Sequence, residues 1–271
     1  MNCPLCNGSC KTLGQLKIFG KYPADFLRCD GCGFIQAHDP HWLNEAYATA
    51  ITSTDIGPVW RADYLGRITK ALIHAFENPA GTFLDYGAGY GIFVRKMRDF
   101  GYDFRWLDKY SENLFAKGFE AELPPKTKYD LVTAFEVFEH LPDPARQIAE
   151  IFEFSSEVFF TTDLVPQNPP ALDEWIYYGA EHGQHIAFYT EKSLHLVAQK
   201  AGLHFHTNGV NLHFFSRKKI NPFIYRLVIR KKVGALFDLF HERPGLLGSD
   251  FMAGRERTLN AQRKNPPGPL P

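Results

Sequence analysis

Between Asp85 and Gly91 the chain reads Asp-Tyr-Gly-Ala-Gly-Tyr-Gly, a carboxylate followed by three glycines at alternate positions. Glycines remove side chains where a ligand must touch backbone, and the unpaired N–H groups at a helix start face the same place. Such a turn has the chemistry of nucleotide binding. Its spacing argues against a dinucleotide, because the G-x-G-x-x-G fingerprint needs a glycine where Ile92 stands. A further carboxylate, Asp108, ends the next apolar stretch, where it could accept hydrogen bonds from both hydroxyls of a ribose. A second chemical set lies near the N-terminus. Cys3-Pro-Leu-Cys6 and Cys29-Asp-Gly-Cys32 are two C-x-x-C pairs with 22 residues between them. Each pair can put two thiolates on one tetrahedral ion, and Gly8, Gly31 and Gly33 permit the turns that aim backbone amides at sulfur. Four thiolates leave no open coordination position, so a structural Zn2+ is expected rather than a catalytic one. Cys10 stands outside both pairs as a spare thiol.

The elements that must hold these residues follow from hydrophobic period and turn chemistry. Phe83 and Leu84 begin a short strand that ends at Asp85. Phe93, Met97 and Phe100 then share one face of a helix that Gly101 can cap. Residues 102–107, 129–135 and 157–162 read as further strands, the last ending at Asp163. Residues 203–208 and 210–216 form a closing hairpin about the Asn208-Gly209 turn. Thr190 is a suitable N-cap for a helix with Leu194, Val197, Ala198 and Ala201 on one face and Gly202 at its end. Residues 13–19 and 26–28 read as strands of a ribbon around the cysteines, and residues 59–76 as an amphipathic helix. The connection from Ser111 to Lys128 has room for no more than a stunted helix and strand.

The pattern Asp-x-Gly-x-Gly-x-Gly at 85–91 resembles motif I of the class I S-adenosylmethionine-dependent methyltransferases. Glu136-Val-Phe-Glu139-His140-Leu-Pro-Asp-Pro144 resembles that family's motif after its fourth strand. Within the family, His185-x-x-Phe-Tyr-Thr190 is similar to a stretch in the zinc-ribbon sugar methyltransferases of deoxysugar pathways. The resemblance covers residues 1–216. It implies an α/β, Rossmann-like methyltransferase fold, with a seven-stranded, mostly parallel sheet whose last strand is antiparallel, plus a small N-terminal zinc ribbon. It implies S-adenosyl-L-methionine as cofactor, leaving as S-adenosylhomocysteine. The cofactor would be held by Asp85, Gly87, Ala88, Gly89, Gly91 and Asp108, with Phe119 near the adenine and Phe135 and Glu136 facing the ligand. Helices before the first strand commonly cap the site, which makes Tyr47 and Tyr64 candidate lid residues. His140 is either a base or a support for its loop. His185 is the favoured general base, and His182 the second choice. The family's usual Glu before this histidine is Gln184 here, which can orient an imidazole but supplies no charge; Glu181 could supply the carboxylate instead.

These elements divide the chain into a ribbon at 1–40, a helical cap or linker at 41–80, a core at 81–216 and a tail at 217–271. The tail interleaves seven basic residues with Phe223, Ile224, Tyr225, Leu227, Val228 and Ile229, as an amphipathic helix on a membrane surface or one packed back on the core would. Its proline-rich end, 265–271, is expected to be disordered. Of 271 residues 45% are hydrophobic and 22% charged, which suits a globular chain with a real core. A formal net charge of zero argues against a nucleic-acid grip over the whole surface. No apolar run reaches membrane-span length and no signal-peptide segment opens the chain, so a cytoplasmic location is expected. The loop at 164–178, with Trp175, Tyr177 and Tyr178, would sit where parallel sheets bind ligands, and an aromatic wall there suits a sugar. A small acceptor, most simply a sugar or nucleotide-linked sugar, is the leading expectation. An RNA-directed enzyme using the ribbon and a non-catalytic cofactor-binding scaffold are the rivals.

Overall fold

The computed structural model describes residues 1–48, 55–234 and 243–264. Its centre is a six-stranded sheet in the order β5-β4-β6-β7-β10-β9. These strands are β4 (Thr82–Tyr86), β5 (Asp103–Leu107), β6 (Leu131–Phe135), β7 (Val158–Thr161), β9 (His204–Thr207) and β10 (Leu212–Ser216). β5, β4, β6 and β7 pair in parallel, while β10 runs antiparallel to both β7 and β9. β6 and β7 bury nearly every residue, as strands covered on both faces must. After the one-turn α1 (Leu43–Ala46), the helices about the sheet are α2 (Pro58–Phe76), α3 (Ile92–Asp99), α4 (Pro144–Phe154) and α5 (Glu191–Lys200). The closing hairpin turns at Gly209, whose φ of +82° needs a residue without a Cβ.

Among the described residues six strands stand where seven were expected. The missing edge strand shrinks to a single parallel bridge between Trp106 and Glu120. The reason is local: residues 111–128 carry no apolar alternation long enough to extend the pairing, and three prolines or glycines (Gly118, Pro124, Pro125) interrupt them.

A second sheet lies at the N-terminus, in the order β1-β2-β3-β8. β1 (Cys10–Ile18), β2 (Tyr22–Cys29) and β3 (Ile35–Ala37) form an antiparallel meander. Its fourth strand comes from far along the chain: β8 (Ala187–Phe188) pairs with Ile35 and Gln36. The two parts also share a core. Phe26, Ile35, Trp42, Tyr178, Ile186 and Phe188 belong to one buried cluster. Polar ties add to it, as Trp42 Nε1 donates to the Gly183 carbonyl at 2.8 Å and Thr190 Oγ1 to that of Cys32 at 2.6 Å.

After the sheets, α6 (Pro222–Val228) packs on the hairpin, and a last described helix spans Leu247–Lys264. Asp250, buried at 8% exposure, fixes that helix by accepting from Arg98 Nη2 at 2.7 Å and Arg95 Nη1 at 2.8 Å. The proline-rich end at 265–271 falls outside the described residues. Among the described residues no helix is long and apolar enough to cross a membrane.

Candidate active site

The carboxyl ends of β4, β5 and β6 open into a cleft of about 1190 Å³. At its floor the glycine turn climbs from β4 to α3, with Gly87, Gly89 and Gly91 all at positive φ. The three glycines do different work. A Cβ on Gly87 would stand 2.5 Å from Val137 Cγ2, and one on Gly91 3.0 Å from Asn113 Oδ1 and 3.1 Å from Ala116 Cβ. A Cβ on Gly89 would meet nothing within 4 Å. Gly87 and Gly91 therefore let protein pack closely, while Gly89 leaves space on the cleft side.

The turn is held from both directions. Asp108 Oδ2 accepts from the Gly89 N–H at 2.9 Å, and its Oδ1 from the N–H groups of Tyr110 and Ser111 at 2.7 Å each. Trp106 Nε1 donates to the Gly89 carbonyl at 2.8 Å. Asp85, 4% exposed, accepts from Thr133 Oγ1 at 2.6 Å. Burial pushes its carboxyl up to about 7, against the pull of the Thr133 hydrogen bond and with a smaller push from the Asp108 charge.

Across β6, Glu136 holds a left-handed backbone with φ of +53°. Strain of this kind costs about 1–3 kcal/mol and collects at functional sites. Thr161 stabilises it, its Oγ1 accepting from the Glu136 N–H at 2.8 Å and donating to Oε1 at 2.6 Å. Burial raises the Glu136 pKa, with Thr161 and Arg61 opposing. At the mouth, Arg61 clamps Asp55 through two hydrogen bonds of 2.8 Å.

The far side of the cleft carries a cluster the sequence did not reveal as one. Glu139, His140 and His185 have ligand atoms within 4.8 Å of one another. Glu139 is fully buried, and neither carboxyl oxygen has a hydrogen-bond partner among the described residues. Burial first, then the Glu136 charge, raises its pKa well above the carboxylate range. His185 Nδ1 lies 2.6 Å from the Tyr177 carbonyl. A carbonyl only accepts, so Nδ1 carries the proton and Nε2 keeps its lone pair. Burial, helped by the nearby His182, lowers the His185 pKa to about 4. His140 is also lowered, well below its usual value, by burial and then by His185, and its Nδ1 pairs with Tyr47 Oη at 3.0 Å.

Of the expected cofactor residues, Asp85, Gly87, Ala88, Gly89, Asp108, Phe135 and Glu136 line the cleft, as do Glu181, His182 and His185. Gly91 sits behind it as the N-cap of α3. Phe119 lies elsewhere. Its ring packs under the guanidinium carbons of Arg98 at 3.7 Å and Arg257 at 5.5 Å, because cation–π stacking takes up its face on the outer side of β5. Lys109, Tyr110 and Ser111 line the wall instead. Tyr47 does face the cleft, stacked on Tyr110 with centroids 4.6 Å apart, whereas Tyr64 stacks on Trp60 away from it. Gln184 is buried, and its Nε2 donates to the Ala46 carbonyl at 2.7 Å. Glu181 is exposed at the rim, and His182 Nδ1 accepts from the Gln184 N–H at 3.1 Å. In the aromatic loop Trp175 and Tyr177 line the cleft, while Tyr178 is buried in the core.

A profile of a family described as a methyltransferase domain matches residues 60–208, more than half of the chain. The chain belongs to that family. It is a methyltransferase. No curated protein matches its sequence. Among solved structures, the methyltransferase is similar to an S-adenosylmethionine-dependent enzyme of Thermotoga maritima described as a possible histamine N-methyltransferase. That likeness has 13% identity, covers 66% of this chain and 97% of the other, and has a TM-score of 0.44. CalO1, a methyltransferase in calicheamicin biosynthesis with S-adenosylhomocysteine bound, shares 16% identity over 66% of this chain and 60% of its own, at a TM-score of 0.45. Magnesium protoporphyrin IX methyltransferase of Synechocystis shares 14% over 65% and 97%, at 0.43. Likenesses this distant carry no acceptor across to this methyltransferase.

The four cysteines of the N-terminal sheet also converge. Cys3, Cys6, Cys29 and Cys32 have sulfurs within 4.8 Å of one another, with Cys3–Cys32 at 3.6 Å and Cys6–Cys29 at 3.3 Å. Four thiolates at about 2.3 Å from a tetrahedral ion stand about 3.8 Å apart, close to this spacing. The Gly8 and Cys32 N–H groups each point at a sulfur at 3.4 Å. Cys10 is outside the set, and burial raises its thiol to about 11.

Proposed function

We propose that this methyltransferase uses S-adenosylmethionine to methylate a small acceptor, most simply a sugar or nucleotide-linked sugar, with His185 as general base and a structural zinc on the four cysteines. The observation that carries the reading is the empty space over Gly89 beside a carboxylate whose orientation that same residue's N–H fixes. A cofactor's methionine part would lie over Gly87–Gly89 with its ammonium toward Asp85, and its ribose would take the one remaining lone pair of Asp108, on Oδ2. When bound, S-adenosylmethionine supplies an electrophilic methyl on a sulfonium.

The chain's own residues then do two things. They hold the acceptor at attack distance, an effect worth up to about 7–11 kcal/mol. They also take its proton as the oxygen attacks. His185 is neutral at physiological pH, because burial holds its pKa to about 4, and its Nε2 has a lone pair to offer. A base so placed contributes about 10²–10⁴-fold. The imidazolium formed would carry its charge in a buried site, with Glu139 within 4.8 Å. Trp175 and Tyr177 offer flat apolar faces of the kind that stack on a sugar ring. Incubation with radiolabelled S-adenosylmethionine and a panel of nucleotide sugars tests the reading. Label transfer to a sugar supports it; cofactor affinity with transfer only to another acceptor class would reject the sugar, and no affinity at all would reject the site.

A further inference from the structure

Residues 217–232 hold seven cations and no acid, in a chain whose 30 basic and 30 acidic residues balance as a whole. α6 lies in the middle of this run, and it is anchored on one side only. Tyr225 and Ile229 are buried in the core, with Tyr225 Oη donating to the Leu212 carbonyl at 3.1 Å. Asn221 caps the helix by accepting from the Phe223 N–H at 2.8 Å. The other face bares Phe223, Ile224 and Leu227 at 73%, 49% and 42% exposure. Around them Arg217, Lys219, Arg226, Arg230, Lys231 and Lys232 are exposed. Of the seven cations only Lys218 has an ion pair among the described residues, with Glu77.

Each half of this surface is unfavourable alone. Exposed large apolar side chains cost free energy in water, and a run of like charges repels itself. A surface that is apolar inside and anionic outside relieves both at once. Nucleic acid would answer the cations but not three bare apolar side chains on the same helix. We propose that α6 and its flanking cations dock this methyltransferase on an anionic phospholipid surface. The helix is already packed through Tyr225 and Ile229, so docking needs no ordering of chain. The inference does not depend on the acceptor.

The test is co-sedimentation of the full chain with vesicles of phosphatidylcholine alone or mixed with phosphatidylglycerol. Binding is expected only to the anionic vesicles, weakening at least about tenfold when salt rises from about 0.1 to about 0.5 M as charges are screened. Lys219→Glu with Lys231→Glu should abolish it, and Phe223→Ser with Leu227→Ser should weaken it at least about tenfold at either salt. All four positions are exposed, so melting temperature and circular dichroism should stay unchanged. Failure to bind anionic vesicles, or equal binding to neutral ones, would overturn the proposal. So would undiminished binding by the Phe223→Ser, Leu227→Ser protein, and so would a short RNA that displaces the vesicles and binds that variant equally well.

Discussion

Replacing Gly89 by alanine separates a ligand-binding turn from a merely structural one. Gly89 sits at φ of +52°, where an L-residue pays about 1–2 kcal/mol. In a chain of this size each kcal/mol moves the melting temperature by about 2–4 °C, so a drop of about 2–8 °C is expected. Nothing lies within 4 Å of the added carbon, so no clash adds to that cost. The turn cannot swing the methyl aside, because Asp108 holds the Gly89 N–H and Trp106 its carbonyl. The methyl therefore stays in the space assigned to the cofactor. Calorimetry with S-adenosylmethionine should show at least a tenfold loss of affinity, about 1.4 kcal/mol. Gly87→Ala is the contrast: its Cβ would stand 2.5 Å from Val137 Cγ2 at a φ of +73°, so stability should suffer more. Unchanged affinity in Gly89→Ala would refute the assignment of the turn. A melting drop as large as that of Gly87→Ala would refute the open space.

Three other outcomes follow from the site. His185→Ala should leave S-adenosylmethionine affinity intact and lower turnover at least about tenfold in a label-transfer assay; normal turnover removes the base. Asp85 should make cofactor binding pH-dependent. Its folded pKa lies above the ordinary 3.8, at about 7, so the charged form is disfavoured by folding and stability is progressively lost as pH rises between those values. A bound ammonium needs the charged form, so affinity should fall up to about tenfold per unit below pH 7, and Asp85→Asn should flatten the profile. Metal analysis should find about one zinc per chain, and Cys29→Ser should lower the melting temperature; a folded protein free of metal with unchanged melting would reject the zinc site.

What was legible in the sequence was what short-range pattern carries. The apolar runs at 129–135 and 157–162, the glycines of the turn, Asn208-Gly209 and the Thr190 cap each act within a few residues, and strands, turn and helix stand where those signals put them. The parts that were not legible depend on distant partners. β3 and β8 are three and two residues long, too short for any period, and they exist only because residues about 150 apart pair. Burial of Glu139 cannot be seen in a Glu-His-Leu string, and neither can the Gln184 contact with Ala46 or the pairing of His185 Nδ1 with the Tyr177 carbonyl. Phe119 was misplaced because a connection without a full strand gives no register to count along.

The two residues of β8 have a consequence for anyone cutting this chain. Ala187 and Phe188 stand two and three residues after His185, and their edge is paired by Ile35 and Gln36 of the cysteine-bearing sheet. A truncation that begins after that sheet would strip the pairing from the segment that aims the imidazole, and expose Phe188 to water. A chimera that exchanged the N-terminal sheet for a relative's would change that support without altering a single residue lining the cleft. Such swaps would be expected to alter which acceptors are turned over while cofactor affinity, proposed to rest on the opposite side at β4 and β5, stays the same.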